Sequence, residues 1–187
     1  MTPAPGPEAP AAQRPAPVSP APMSLVQATC VLVGAGAVLI RGAPGSGKSS
    51  LAAALLALSG PGRLVRLVAD DAVLVRAASG RLVAVAPAPI RGAMEVRGLG
   101  IVPTSFEPRA VVRLVADLVA ADRIERLPAG ADARAVLCGV DLPRLALPAG
   151  DPAARERIVA ALALAGGDRP AGAAPEIAAM HKDSIRA

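Results

Sequence analysis

The chain has no tryptophan, no tyrosine, a single phenylalanine (Phe106), two cysteines and one histidine among 187 residues. Each shortage excludes something. Single-stranded nucleic acid is held by several aromatic side chains that stack on successive bases, and here Phe106 stands alone. The arginines are scattered rather than gathered into a stripe, so the net charge of +5 reflects a bias towards Ala, Gly, Pro and Arg, not a nucleic-acid footprint. An acidic protein partner is compatible with that charge. A core without aromatics must be built from Ala, Val and Leu, at about 0.8 kcal/mol per buried CH₂, and modest stability is expected. Cys30 and Cys138 are far apart in sequence and His181 lies near the C-terminus, so no zinc site is expected. Counting leaves a disulfide open; the expectation is two buried thiols in a reducing cytoplasm.

Charge is missing altogether from residues 23–40, "MSLVQATCVLVGAGAVLI", a length close to that of a membrane span. Only Arg14 lies upstream, Gln27 and Thr29 interrupt the run, and "GAG" is a turn signal. Two short strands, "LVQATCVLV" and "AVLIR", are expected in place of a membrane segment or a signal peptide. No other long apolar run follows, so a cytoplasmic protein without membrane contact is expected.

Residues 1–22 carry eight prolines and almost nothing large and apolar. That composition predicts a disordered tail, with Met23 as a candidate natural start. Residues 23–165 then form one catalytic-size domain, enough chain to bury about two thirds of its unfolded surface. Residues 166–187 are expected to be a flexible C-terminal segment.

Within the domain, "SSLAAALLALSG" predicts a helix ending at Gly60-Pro61-Gly62, and "RLVRLVADD" a strand running into two acids. "AVLVRAASGRLVAVAP" predicts a hairpin around Ser79-Gly80. "APIRGAMEVRGLGIVP" reads as irregular, "AVVRLVADLV" and "AVLCGVDLPRLAL" as one strand each, and "DPAARERIVAALALAGG" as a helix opened by Asp151 and Pro152. Strands interleaved with few helices predict an α/β fold, and the hairpin makes its sheet mixed.

What is present is a phosphate grip. Residues 42–49, "GAPGSGKS", fit G-x-x-x-x-G-K-[ST] between an apolar strand and a helix. Gly42, Ala43, Pro44, Gly45, Ser46 and Gly47 supply a loop whose amides curl around phosphate oxygens, Lys48 reaches the outer phosphates, and the Ser49 hydroxyl ligates Mg²⁺. Nucleotide binding, with ATP and Mg²⁺ as cofactors, follows. The acids Asp70 and Asp71 end a strand where a carboxylate would lie beside the phosphates, and one acid there holds Mg²⁺ directly or through water. Side chains alternate along a strand, so only one of the pair faces the phosphates unless the strand has already ended. The motifs of GTPases and transporter ATPases are missing, as is a nucleotide-kinase lid.

The stretch "MEVRGLGI", residues 94–101, narrows the choice. Taken in order, "GAPGSGKSS", "VADD" and "MEVRGLGIV" resemble the catalytic domain of the HPr kinase/phosphorylase family, over about Val26 to Leu147. The resemblance implies a P-loop kinase-like domain with a mixed sheet, in a short form without an additional N-terminal domain. It implies an ATP- and Mg²⁺-dependent protein serine kinase acting on the phosphocarrier protein HPr, which also reverses the reaction by phosphorolysis, in a homo-oligomer.

By the same resemblance, Lys48 and Ser49 keep their phosphate and metal roles, and Asp71 takes the proton of the acceptor serine. Glu95 joins Ser49 and Asp70, the acid already placed beside the phosphates, on the metal, Arg97 meets phosphate charge, and "ERLP" makes Arg126 the transition-state cation. A surface ion pair between Glu95 and Arg97, worth about 0.5 kcal/mol, is the alternative for those two.

Two departures stand out. Gln27 replaces the histidine the family carries before the P-loop, removing a titratable cation. The basic segment associated with phosphorolysis has no counterpart in "LPRLALPAGDPAARERI", and "GPGRLVR" reads as a surface insertion. A small-metabolite kinase and a non-catalytic nucleotide-sensing module stay open.

Overall fold

Alternation along "TCVLVGAGAVLI" builds the centre of the fold. In the computed structural model, which describes residues 22–126, 128 and 130–166, strand β2 (Thr29–Val33) turns at Gly34-Ala35 into β3 (Gly36–Gly42), with Val33 paired to Gly36. The apolar run is therefore strand, with residues alternating between the two faces of one sheet. No helix among the described residues is long and apolar enough to cross a membrane. The first expected strand is broken at Ala28: β1 (Ser24–Gln27) pairs with β5 (Ala72–Ala78), whereas β2 pairs with β3 and β4 (Val65–Ala69). The break lets one apolar run serve two parts of a curled sheet.

The helix after the P-loop, α1 (Lys48–Leu56), stops short of the Gly-Pro-Gly signal, which instead makes an exposed turn between Gly60 and Arg63. The Ser79-Gly80 hairpin joins β5 to β6 (Arg81–Val85) as expected. Both turn residues have positive φ, 49° and 70°, as a two-residue hairpin demands.

Two expectations fail for the same reason. "AMEVRGLGIVP" is no irregular segment but a hairpin of β7 (Ala93–Val96) and β8 (Gly100–Pro103), and "AVLCGVDLPRLAL" is not one strand but β10 (Arg134–Leu137) and β11 (Val140–Pro148). Cys138-Gly139 makes the second turn, with φ 50° and 74°. Cysteine rarely adopts positive φ, so the pair carried no turn signal. Cys138 is accordingly exposed, against the expectation of two buried thiols, while Cys30 is buried and both are free.

The long strand β9 (Arg109–Val119) organises the sheet. One edge runs parallel to β3; the other pairs antiparallel with β6 through Arg109–Val112 and parallel with β11 through Val115–Val119. The sheet is thus mixed and curls on itself. One face buries Cys30, Leu39, Val73, Leu82 and Val115 together with Ala135 and Leu142 of the β10–β11 hairpin. Its other face buries Val31, Val38, Ile40 and Leu147 under α1 and α2 (Ala154–Ala165), through Leu55, Ile158 and Leu162. Helix α2 opens as expected, with the Ala153 amide donating to Asp151 Oδ1 at 2.9 Å.

Neither core contains an aromatic ring. Phe106, 40% exposed, lies instead against Gly92, where a Cβ would come within 2.7 Å of its ring. The Leu67 amide donates to the Ser105 carbonyl, the Glu107 amide to the Leu67 carbonyl and the Thr104 amide to the Gly92 carbonyl, tying the β7–β8 hairpin to the edge of β4. Nearly all of the expected segments 1–22 and 166–187 lies outside the described residues.

Candidate functional site

Three segments distant in sequence meet at one carboxylate. Strand β4 ends at Ala69, so Asp70 and Asp71 escape strict alternation. Asp70 is buried, 6% exposed, and its Oδ1 accepts from Thr29 Oγ1 at 2.8 Å, Ser49 Oγ at 3.0 Å and the Asp71 amide at 3.1 Å. Its Oδ2 accepts from the Glu95 amide at 3.2 Å. A carboxylate taken out of water needs such partners, and donors from β2, α1 and β7 supply them. Asp71 is exposed and held at φ 63°, a left-handed conformation that only an Asn, Asp or Gly accepts at little cost. Its carbonyl is pinned by the Ala28 amide at 3.1 Å.

The P-loop follows β3. Gly47 sits at φ 96° immediately before α1, so the chain can turn its amides inward ahead of the helix. Gly42 is needed for another reason: a Cβ there would meet Ser46 Oγ at 2.6 Å and Leu118 Cβ and O at 3.0 Å. Lys48 Nζ reaches back across the loop to the carbonyls of Gly42 and Ala43, at 3.0 and 3.1 Å. The Ser46 hydroxyl is buried with no hydrogen-bond partner among the described residues, an orphan that a phosphate oxygen would satisfy.

Beside the loop, a cleft of about 680 Å³ runs between Gly45–Gly47, the first turn of α1 and the β11–α2 connection, with Leu51, Leu118 and Pro148 in its apolar wall.

Sequence-expected residues divide into two groups. Gly42, Lys48, Ser49, Asp70, Asp71 and the Glu95 backbone are brought together. The side chains of Glu95 and Arg97 are exposed and form no ion pair with each other among the described residues. Arg97 stands at the β7–β8 tip, next to Gly98 at φ 84° and beside Leu99 and Ile101, which are 78% and 77% exposed. Arg126 is exposed in the connection after Ala121–Arg123 and makes no hydrogen bond to the site among the described residues. Gln27 closes β1 opposite Ala72 and is exposed.

Sequence reasoning missed Thr29, which it treated only as an interruption of an apolar run, and a second charge cluster. Asp117 on β9 accepts from Arg41 Nε and Nη2 at 2.7 and 2.8 Å and from Arg144 Nε at 2.5 Å. Arg41, one position before the P-loop, lies opposite Asp117 near the ends of β3 and β9, and Arg144 stands in mid-β11 where its pairing with β9 begins. Burial works to raise the Asp117 pKa, but the hydrogen bonds and charges of Arg41 and Arg144 outweigh it and hold the carboxyl below its ordinary value. A lone acid inside an apolar strand, with arginines on two other strands, was the available signal.

No cluster of three or more His, Cys, Asp or Glu side chains gathers among the described residues. Mg²⁺ bound with a nucleotide takes most of its ligands from phosphate and water and needs only one or two protein groups. Asp70 and Ser49, already hydrogen-bonded to each other, fit that demand, and the orphaned Ser46 hydroxyl fits the accompanying phosphates.

Comparison with known proteins identifies a family and a fold. A family model described as the HPr Serine kinase C-terminal domain matches residues 20–173. An HPr kinase/phosphorylase of Clostridium tetani is 45% identical over 65 residues, 35% of this chain; the match spans only 20% of that relative's length. The solved structure of the Hpr(Ser) kinase/phosphatase from Coxiella burnetii superposes with a TM-score of 0.63 at 22% identity, covering 75% of this chain and 97% of that one. At that identity the likeness shows the fold, a mixed α/β domain.

Proposed function

We propose a function from the premise that this chain belongs to the family of the HPr Serine kinase C-terminal domain: it transfers the γ-phosphoryl group of ATP, with Mg²⁺, to a serine hydroxyl of the phosphocarrier protein HPr. The observation that carries this reading is the Asp70 carboxylate, which ties the P-loop serine, the neighbouring Asp71 and the β7 backbone at Glu95 into one hydrogen-bonded unit.

In this reading the amides of residues 45–49 and Lys48 hold the phosphates, with Lys48 exchanging its loop carbonyls for phosphate oxygens. The Ser46 hydroxyl finds its partner there. The nucleoside lies in the cleft between the P-loop and the β11–α2 connection, whose apolar wall suits a base. Asp70, Ser49 and Glu95 hold the metal. Bound Mg²⁺ neutralises charge on the transferring group.

Asp71, exposed and fixed by its backbone, accepts the serine proton as the serine oxygen bonds to phosphorus and the bond to the ADP oxygen breaks. Arg97 and Arg126 contribute positive charge from exposed positions that a docked protein would cover. The β7–β8 tip, with Leu99 and Ile101 beside Arg97, is the docking point for HPr. The assembly is a cytoplasmic homo-oligomer. Phosphorolysis, the reverse use of the same groups with inorganic phosphate as acceptor, is weak, since the β11–α2 turn offers Pro148–Asp151 where a basic segment would serve.

The test is incubation with HPr and γ-labelled ATP, beside an Asp71→Ala variant. Label is expected on one serine of HPr, reduced at least a hundredfold in the variant. No transfer, or equal transfer by the variant, refutes the reading.

A further inference from the structure

Thr29 is fully buried on β2 and has one visible task. Its hydroxyl donates to Asp70 Oδ1 at 2.8 Å, the shortest of the four bonds that carboxylate receives. Its neighbours on the same face of the sheet, Val31 on β2 and Ile40 opposite on β3, are apolar core residues. A valine would fill the position with nearly the same shape and a higher strand preference, and would bury no hydroxyl. The sequence carries the polar group where packing alone asks for none.

The two side-chain donors on Oδ1 differ in what else is asked of them. Ser49 lies in the first turn of α1, directly after the P-loop glycines, whereas Thr29 belongs to a strand bonded on both edges. The Asp71 and Glu95 amides belong to a turn residue and to the small two-stranded sheet. Thr29 is therefore the donor to Asp70 anchored in the rigid sheet, and it sets the carboxylate's rotamer independently of the loop.

We infer that Thr29 is a positioning residue: its hydroxyl holds the Asp70 carboxylate in the orientation needed for Mg²⁺-dependent nucleotide binding. This rests on the nucleotide-binding part of the function proposed above and adds a residue to it. Thr29 touches neither nucleotide nor metal and acts only through Asp70.

The test compares wild type, Thr29→Val, Thr29→Ala and Thr29→Ser by titration with a fluorescent ADP analogue, in excess Mg²⁺ and in EDTA, beside thermal melting. Thr29→Val is expected to lose about tenfold in affinity with Mg²⁺ while its affinity in EDTA stays within twofold of wild type. Thr29→Ser, which keeps the hydroxyl, recovers most of the loss. Thr29→Ala follows Thr29→Val in the ratio of the two affinities and so provides the reading if the valine variant does not fold. A Mg²⁺-dependent affinity in Thr29→Val equal to wild type overturns the inference, as does an equal loss in both conditions that tracks a lowered melting temperature. Wild type that binds no nucleotide in either condition overturns the functional reading itself, and this inference with it.

Discussion

The amide of Glu95 donates to Oδ2 of Asp70 at 3.2 Å, joining a two-stranded hairpin to the end of the edge strand β4, 25 residues earlier. Through that bond the β7–β8 hairpin is held beside the P-loop, because Oδ1 of the same carboxylate takes the Ser49 hydroxyl. Asp70→Asn replaces one acceptor oxygen with a donor that must face either the Glu95 amide or three other donors. A stability loss of about 2–3 kcal/mol is expected from the lost charged bonds and the unpaired groups. Urea unfolding measures it, and nucleotide titration should show the Mg²⁺ dependence abolished.

Gly42→Ala should be costly for a residue that differs by one methyl. The added carbon would lie 2.6 Å from the Ser46 hydroxyl, which would have to rotate away, and 3.0 Å from the Leu118 Cβ and carbonyl oxygen, which cannot withdraw without moving β9. A loss of about 1–3 kcal/mol is expected, with nucleotide affinity falling in parallel. Thermal melting beside a binding titration tests both.

Lys48→Met should separate binding from folding. Its ammonium bonds two loop carbonyls at the edge of the site, and the rest of its stem is retained by methionine. Melting should stay within a few degrees of wild type, while affinity for ATP falls at least tenfold, since a charge-assisted contact to phosphate is lost. A melting temperature that collapses would show that the lysine holds the loop rather than the ligand.

Asp117 predicts a pH dependence of stability. Its folded pKa lies below the unfolded value of about 4, so the carboxylate contributes stability that is present above that value and is lost as pH falls through the folded pKa. Unfolding midpoints in urea should fall between pH 5 and pH 3 in wild type. Asp117→Asn should be less stable at pH 7 by about 2–4 kcal/mol, because Arg41 and Arg144 are left facing each other, and should show a shallower acid limb.

The two thiols should react at very different rates. Cys138 is exposed at a turn, whereas Cys30 is wholly buried and burial pushes its thiol up, away from the reactive thiolate. A thiol reagent at pH 8 should modify one residue promptly, Cys138 by peptide mass, and the second only after denaturation.

What was legible in the letters was whatever depends on local geometry. Gly42–Ser49 announces a phosphate loop because its glycines, lysine and hydroxyl are needed at fixed spacing, and Ser79-Gly80 announces a hairpin because such a turn needs positive φ. The Cys138-Gly139 turn obeys the same rule with a residue that gives no signal, and the β7–β8 hairpin hid among glycines that also read as disorder of pattern. Asp70 and Asp71 were found as candidates, but which is buried and which exposed depended on where β4 ends, a matter of pairing with β2 and not of alternation.

By itself, then, the sequence determined the glycine-rich loop between a strand and a helix, the mixed α/β class and the acids beside that loop, since these follow from backbone freedom and periodicity within a few residues. Only the tertiary structure decided that Thr29, Ser49 and Glu95 converge on Asp70, and that Arg41 and Arg144 share Asp117. A hydrogen bond between residues 41 or 76 positions apart leaves no local trace. It exists because the curled sheet brings strand ends together.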